Sequence, residues 1–259
     1  MINELSNPNP TTSSVAGVKI KKPRSGYVRY FFVTMACLFL IIAAFGFVPS
    51  YTTMHAGTLL NWYVHVHGAI MTLWLLVFLT QAILAAKGNL KFHCQLGQFS
   101  VILGALVWIS MGIVIFNAHI GFPPHKNIFW YGVLLISSNM NLFGLFFTWG
   151  ILVRKNSAAH KRLLFMATMV LISAGLNRIF FHMGLDPSMP WLHWPGIAAS
   201  LLSAQGNLSA FLIYDDLLII PLFIYDLLTV RRVHRITIIG SAWLIGVHFM
   251  VMILWGLLN

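Results

Sequence analysis

Seven long apolar runs dominate this 259-residue chain and limit what it can fold into. Crossing a hydrocarbon core takes about 20 helical residues at about 1.5 Å rise each. Runs of that length lie at about 30–48, 64–86, 97–118, 128–153, 163–182, 208–230 and 236–258. Lipid offers no partner for backbone N–H and C=O groups, so each run must satisfy them internally as a helix. The expected fold is therefore all-α, a polytopic membrane protein with seven transmembrane helices. Breaks between the runs carry turn and basic residues: Pro49-Ser50, Lys87-Gly88-Asn89, Gly121-Phe122-Pro123-Pro124, Arg154-Lys155-Asn156 and Arg231-Arg232. Only the break at 183–207 is long, and it holds Pro187, Pro190, Pro195, Trp191 and Trp194. Composition excludes a water-soluble domain, since 8% of residues are charged where a soluble domain carries roughly a quarter. Cys37 and Cys94 form no CxxC and are too few for a disulfide framework.

Orientation follows from the basic residues, because Lys and Arg in short loops stay on the cytoplasmic side. Lys19, Lys21, Lys22, Arg24 and Arg29 precede the first run; Lys87 and Lys91, then Arg154, Lys155, Lys161 and Arg162, and finally Arg231, Arg232 and Arg235 follow on the same side. The opposite loops hold only Lys126, while Arg178 falls inside the fifth run. The expectation is an N-terminus in the cytoplasm and a C-terminus outside. Trp62, Tyr63, Trp130, Tyr131 and Trp255 at the outer ends suit an interfacial belt. The formal charge of +11 is thus a topology signal, and it calls for no nucleic-acid partner. Residues 1–18 are polar and without periodicity, and the first apolar run starts too late, is too long and lacks the small-x-small exit of a signal peptide, so it is expected to remain as an uncleaved anchor. The domain expectation is a disordered cytoplasmic tail over 1–28 and a single seven-helix domain over 29–259, set in the lipid bilayer of the bacterial cytoplasmic membrane.

Ionisable residues within a span are costly and are functional-site candidates by default. An outer layer contains His65, His67, Arg178, His182, Asp215 and Asp216; an inner layer contains Gln81, His93, His160, Arg162, Asp226 and His234; Asn139, Asn141, Asn177 and His248 lie between. His67, Trp74 and Gln81 recur at seven residues and share one stripe of the second helix, from which His65 points away. His93, Gly97, Ser100, Gly104 and Trp108 share a face of the third, open to a close helix or to a flat cofactor. Plainer readings stand beside these. The glycine face serves ordinary helix packing, the inner histidines touch headgroups, and Arg178 with Asp215 or Asp216 makes a structural ion pair.

The motifs His65-Val66-His67-Gly68, His93-x-x-Leu96-Gly97, Ala159-His160-Lys161-Arg162-Leu163 and Tyr225-Asp226-Leu227-Leu228-Thr229, with Trp74, Gln81, Arg178 and His234, resemble a widespread group of uncharacterised bacterial multi-pass membrane proteins. The likeness runs from about residue 50 to 245. It departs at Cys94-Gln95, where that group usually carries Arg, and at Arg235, where it usually carries Pro. The resemblance implies topology and a choice of residues, with no activity. A looser similarity is to transmembrane b-type cytochromes of the ascorbate-reducible kind, whose helices carry haem-ligating histidines in two layers.

Three functions follow as expectations. The first is a membrane redox protein in which haem b is held by His93 and His160 in the inner layer and by His67 or His65 with His182 in the outer, Trp74 lining the path and Gln81 or Asp226 accepting from an imidazole N–H. It would pass electrons to a redox partner. The second is a metal-dependent intramembrane enzyme acting on a small lipophilic substrate. Its Zn or Fe ligands would be His93, His160, His234 and Asp226, and His65, His67, Asp215 and Asp216 would make an outer set. In the third, a proton-coupled carrier or sensor, Arg178, Asp215, Asp216 and the histidines relay protons. A retinal pigment is disfavoured, since the seventh run contains no lysine.

Overall fold

The computed structural model describes residues 26–54, 61–121, 126–183 and 216–258. These form seven helices: α1 (Gly26–Met54), α2 (Trp62–Lys87), α3 (Leu90–Gly121), α4 (Lys126–Leu152), α5 (Ser157–His182), α6 (Ile220–Val230) and α7 (Arg235–Leu258). Five of them contain stretches long and apolar enough to cross a membrane: Val28–Pro49, Trp62–Lys87, Leu90–Asn117, Ser157–Ile179 and Arg235–Leu254. The all-helical expectation holds, and the protein is by this measure an integral membrane protein. Large apolar side chains such as Ile41, Phe45, Leu76, Ile102, Ile109, Trp243 and Phe249 are exposed along the helices, as a lipid-facing surface requires.

The helices outrun the apolar runs at their polar ends. α1 begins at Gly26, inside the stretch assigned to the tail, and continues through Pro49 to Met54. α3 begins seven residues earlier than its apolar run and α5 six. His93 and His160, placed before their helices by hydropathy, therefore lie in the first turns. The reason is capping, which hydropathy does not sense. Asn156 Oδ1 accepts the N–H groups of Ala158 and Ala159 at 3.1 and 3.2 Å, and Asn89 Oδ1 accepts that of Phe92 at 3.4 Å. Gly88 at φ 76° closes α2, its N–H donating to Ala85 O while Asn89 N–H donates to Leu84 O. The tail over 1–25, the 184–207 break and the start of the sixth run at 208–215 lie outside the described residues.

α5 is the central helix, packed against α1, α4 and α7. It is the least hydropathic of the five spans and the most buried, with two-thirds of its apolar window inside the protein. Lipid selects for apolar residues, whereas a helix surrounded by other helices can carry polar ones and small ones. Gly46 of α1 meets the Gly175 backbone so closely that a Cβ there would run into its carbonyl. Gly104 of α3 similarly faces the Phe147 ring of α4. The core that results joins Phe31 and Phe39 of α1, Trp74 of α2, Phe143 and Phe147 of α4 and Phe165 of α5.

Candidate functional site

At the end of the bundle that gathers the basic residues, α2 and α3 are tied by a reciprocal exchange. Gln81 Nε2 donates to His93 O at 3.1 Å, and His93 Nδ1 donates to Gln81 O at 3.3 Å. Across from them, His160 Nδ1 donates to Gly150 O of α4 at 2.8 Å. The two half-buried imidazoles approach with ring centroids 6.4 Å apart and planes at 88°. With each Nδ1–H given to a carbonyl, the tautomer is set and the lone pair lies on Nε2, the arrangement that prepares a histidine as a ligand. Nearby, Gln81 Oε1 is shielded from solvent and has no hydrogen-bond partner among the described residues.

The number and separation of these ligands discriminate between groups. With a metal–nitrogen distance of about 2 Å and a ring centre about 1 Å further out, opposed imidazoles have centroids about 6 Å apart and tetrahedral ones about 5 Å. The observed 6.4 Å fits opposed rings. Among the described residues no three His, Cys, Asp or Glu side chains gather at one point. Two imidazoles leave a zinc-type ion short of protein ligands, whereas a haem brings four nitrogens of its own, so the donor set fits haem better. The glycine face of α3 limits where a flat group fits. Gly97 meets only the Gln81 amide, at 3.6 Å from an added Cβ, but the groove at Gly104 is filled by Phe147. The groove at Gly104 is thus closed to a ring, and the plainer reading of the glycines holds there.

Asp226 and His234 are engaged elsewhere, which corrects the four-ligand metal set. Asp226 is fully buried, and both of its oxygens are used. Oδ1 accepts from Nε and Nη2 of the buried Arg162, and Oδ2 accepts from His234 N–H and Thr237 Oγ1. Four donors fill a carboxylate's lone pairs, leaving none for a metal. His234 precedes α7 and caps it, its Nδ1 accepting the Ile236 N–H at 3.2 Å. Burial, reinforced by the nearby Arg162 cation, lowers the pKa of this imidazole below its ordinary range, consistent with an accepting nitrogen. Lys161 Nζ donates to Tyr225 OH at 2.6 Å. The Ala159–Leu163 and Tyr225–Thr229 motifs thus meet pair by pair, Lys161 with Tyr225 and Arg162 with Asp226. The sequence placed Arg162 and Asp226 at one depth without pairing them, although a buried aspartate needs a cation on its own level.

The outer and middle layers separate the remaining candidates. His67 Nδ1 shares a hydrogen bond with Ser110 Oγ of α3 at 3.0 Å, and Trp74 Nε1 donates to Thr168 Oγ1 of α5 at 3.3 Å. The three residues share a face, as their spacing predicts, and the contacts show that it turns inward, while His65 is exposed. Arg178 does not pair with Asp216. Its Nη1 donates to Ala174 O at 2.9 Å and its guanidinium lies 4.4 Å from the centroid of the Phe47 ring on α1. Asp216 instead meets His248 of α7, with 2.8 Å between Oδ1 and Nδ1. The rotation of each helix was not legible from sequence, and rotation turns Arg178 toward α1 and Asp216 toward α7. Asp215 and the His182 side chain lie outside the described residues.

Fold and site together define a helical integral membrane protein with a two-histidine cluster at its basic end and a buried aspartate–arginine pair beside it. Comparison with protein-family models, with curated proteins and with solved structures yields no match, so the site's geometry alone carries the functional reading.

Proposed function

We propose that this chain is a seven-span redox protein of the bacterial cytoplasmic membrane, N-terminus inside and C-terminus outside, that holds haem b between His93 and His160 at the cytoplasmic face. The observation that carries this reading is the convergence of the two imidazoles at 6.4 Å, each anchored through Nδ1 to a backbone carbonyl. When bound, haem supplies reversible one-electron transfer. The chain's own residues hold and orient it. His93 and His160 would hold it through Nε2, since the carbonyls of Gln81 and Gly150 take both Nδ1–H groups, and Gly97 keeps that turn of α3 free of a side chain. Because both rings are half-buried at the basic end, the redox partner would approach from the cytoplasm. Ligation by a single transition-metal ion is the other chemistry the same two nitrogens serve.

The test is an absorption spectrum of the full-length protein in detergent, oxidised and dithionite-reduced, with metal analysis of the same sample. A bis-imidazole b-type spectrum is expected for the wild type. His93→Ala and His160→Ala should each abolish it, and His67→Ala should preserve it. A wild-type protein that takes up neither haemin nor Fe, Cu or Zn on reconstitution would overturn the reading and leave the two rings as a T-shaped packing contact.

A further inference from the structure

Helices α1 to α5 close into a ring. α1 packs on α2, α2 on α3, α3 on α4, α4 on α5 and α5 back on α1, while α6 lies against α1, and α7 against α4 and α5. The middle of the ring is filled. Trp74 sets its indole edge-on against Phe143 and Phe147 and donates to Thr168 Oγ1, and all three aromatic side chains are buried. Toward the end opposite the His93–His160 pair the packing opens. His160, Leu164, Ala167, Leu171, Ala174 and Arg178 share one face of α5. Ala167 and Leu171 are buried, but Ala174 and Arg178 beyond them are exposed, although α5 is the most buried of the five spans.

Arg178 is a cation with no anion beside it among the described residues. The acidic side chains described, Asp216 and Asp226, are held by His248 and by Arg162. Of the five guanidinium N–H groups, one on Nη1 donates to Ala174 O, and Phe47 lies against the guanidinium. The remaining fork matches the paired oxygens of a carboxylate or a phosphate. A charge left unpaired in a membrane span is costly, so an anion from outside the chain would be favoured there. His67 of α2 lies within reach of the Arg178 charge. Its Nδ1 meets Ser110 Oγ at 3.0 Å, and that hydroxyl gives its own proton to Val107 O at 2.9 Å. The hydroxyl must therefore accept, Nδ1 carries the hydrogen, and the neutral ring keeps a lone pair on Nε2.

We propose that Arg178 and His67 form a binding site for an oxyanion that retains one O–H, a hydrogen phosphate or a hydroxycarboxylate. The guanidinium takes the charged oxygens and the O–H donates to Nε2 of His67. That lone pair selects the ligand. Sulfate or acetate would set an oxygen lone pair against it, and so would the phosphodiester of a lipid headgroup, which has no O–H to give. Trp74, two helical turns from His67, forms the floor with Phe143 and Phe147 and separates this site from the His93–His160 pair. The site is thus independent of the haem reading.

The test is a titration of ¹⁵N-Arg and ¹⁵N-His labelled full-length protein in maltoside micelles, which carry no anion, read by nuclear magnetic resonance at pH 8. That is above the ordinary histidine value of about 6.5, so the ring is neutral, and hydrogen phosphate still holds its proton. Hydrogen phosphate or glycolate should move the Arg178 side-chain and His67 Nε2 signals saturably, at concentrations about tenfold below those that sulfate or acetate, respectively, requires. Arg178→Lys, which keeps the charge and loses the fork, should weaken binding about tenfold, and His67→Ala should erase the preference for the anion with an O–H. Where a variant does not fold, the wild-type comparison of each anion with its partner lacking the O–H decides alone. No saturable shift with either hydrogen phosphate or glycolate, or equal affinity within both pairs, would overturn the proposal. Shifts produced by dihexanoyl phosphatidylglycerol and by neither small anion would also overturn it, and would make Arg178 a contact for lipid headgroups.

Discussion

Removing Arg162 isolates the best-defined electrostatic element in the protein. In the wild type the two oxygens of Asp226 accept four donors, two of them from Arg162, and both side chains are almost wholly buried. Arg162→Leu takes both donors from Oδ1 and leaves a buried carboxylate half solvated, with His234 N–H and Thr237 Oγ1 still on Oδ2. Truncating one partner of a buried pair costs about 3–5 kcal/mol. Adding Asp226→Asn removes the charge and keeps an oxygen for His234 and Thr237. What remains is an amide NH₂ without an acceptor, a penalty of about 1–3 kcal/mol. The double variant should therefore be more stable than the Arg162→Leu single variant by about 2 kcal/mol, the difference between those two ranges. Reversible unfolding in mixed detergent micelles, followed by Trp fluorescence, measures both. A double variant as unstable as Arg162→Leu, or less stable, would refute the idea that the Asp226 charge is what Arg162 compensates.

Three further outcomes are expected. His234 is lowered in the folded state, so the unfolded chain takes up its proton first; the stability this contributes is complete above the ordinary histidine range, about 6.5, and is lost as pH falls through the lower folded value. Melting in detergent between about pH 8 and 5 should show that acid loss in the wild type and less of it in His234→Asn, which still caps α7 without titrating; equal losses would show that His234 does not contribute. Gly46→Ala should destabilise by about 1–3 kcal/mol because its Cβ meets Gly175 backbone, whereas Gly240→Ala meets the flexible Met166 thioether and should cost less; detergent unfolding that reverses this order would count against the close α1–α5 crossing. A reporter active only in the cytoplasm should work when inserted in the 153–156 turn and fail when fused after Asn259; activity at the second position would invert the proposed topology.

Hydropathy and charge made the helical class, five long apolar spans and the basic end of the bundle legible in the sequence, because lipid imposes length and apolarity on each segment independently of its neighbours. Seven-residue spacing also showed that His67, Trp74 and Gln81 would share one face, since that periodicity belongs to one helix, although only the contacts to Ser110 and Thr168 show that it turns inward. The polar first turns of α3 and α5, which carry His93 and His160, escaped hydropathy because Asn89 and Asn156 start them through side-chain caps. Partner choice lay deeper still. Asp216 turning to His248 and not to Arg178, Arg162 seating on Asp226, and Phe147 filling the groove at Gly104 all depend on how each helix is rotated against the next. That rotation is set by close packing summed over several helices, as where Gly46 meets Gly175, so no single segment's sequence encodes it and only the tertiary structure decides it.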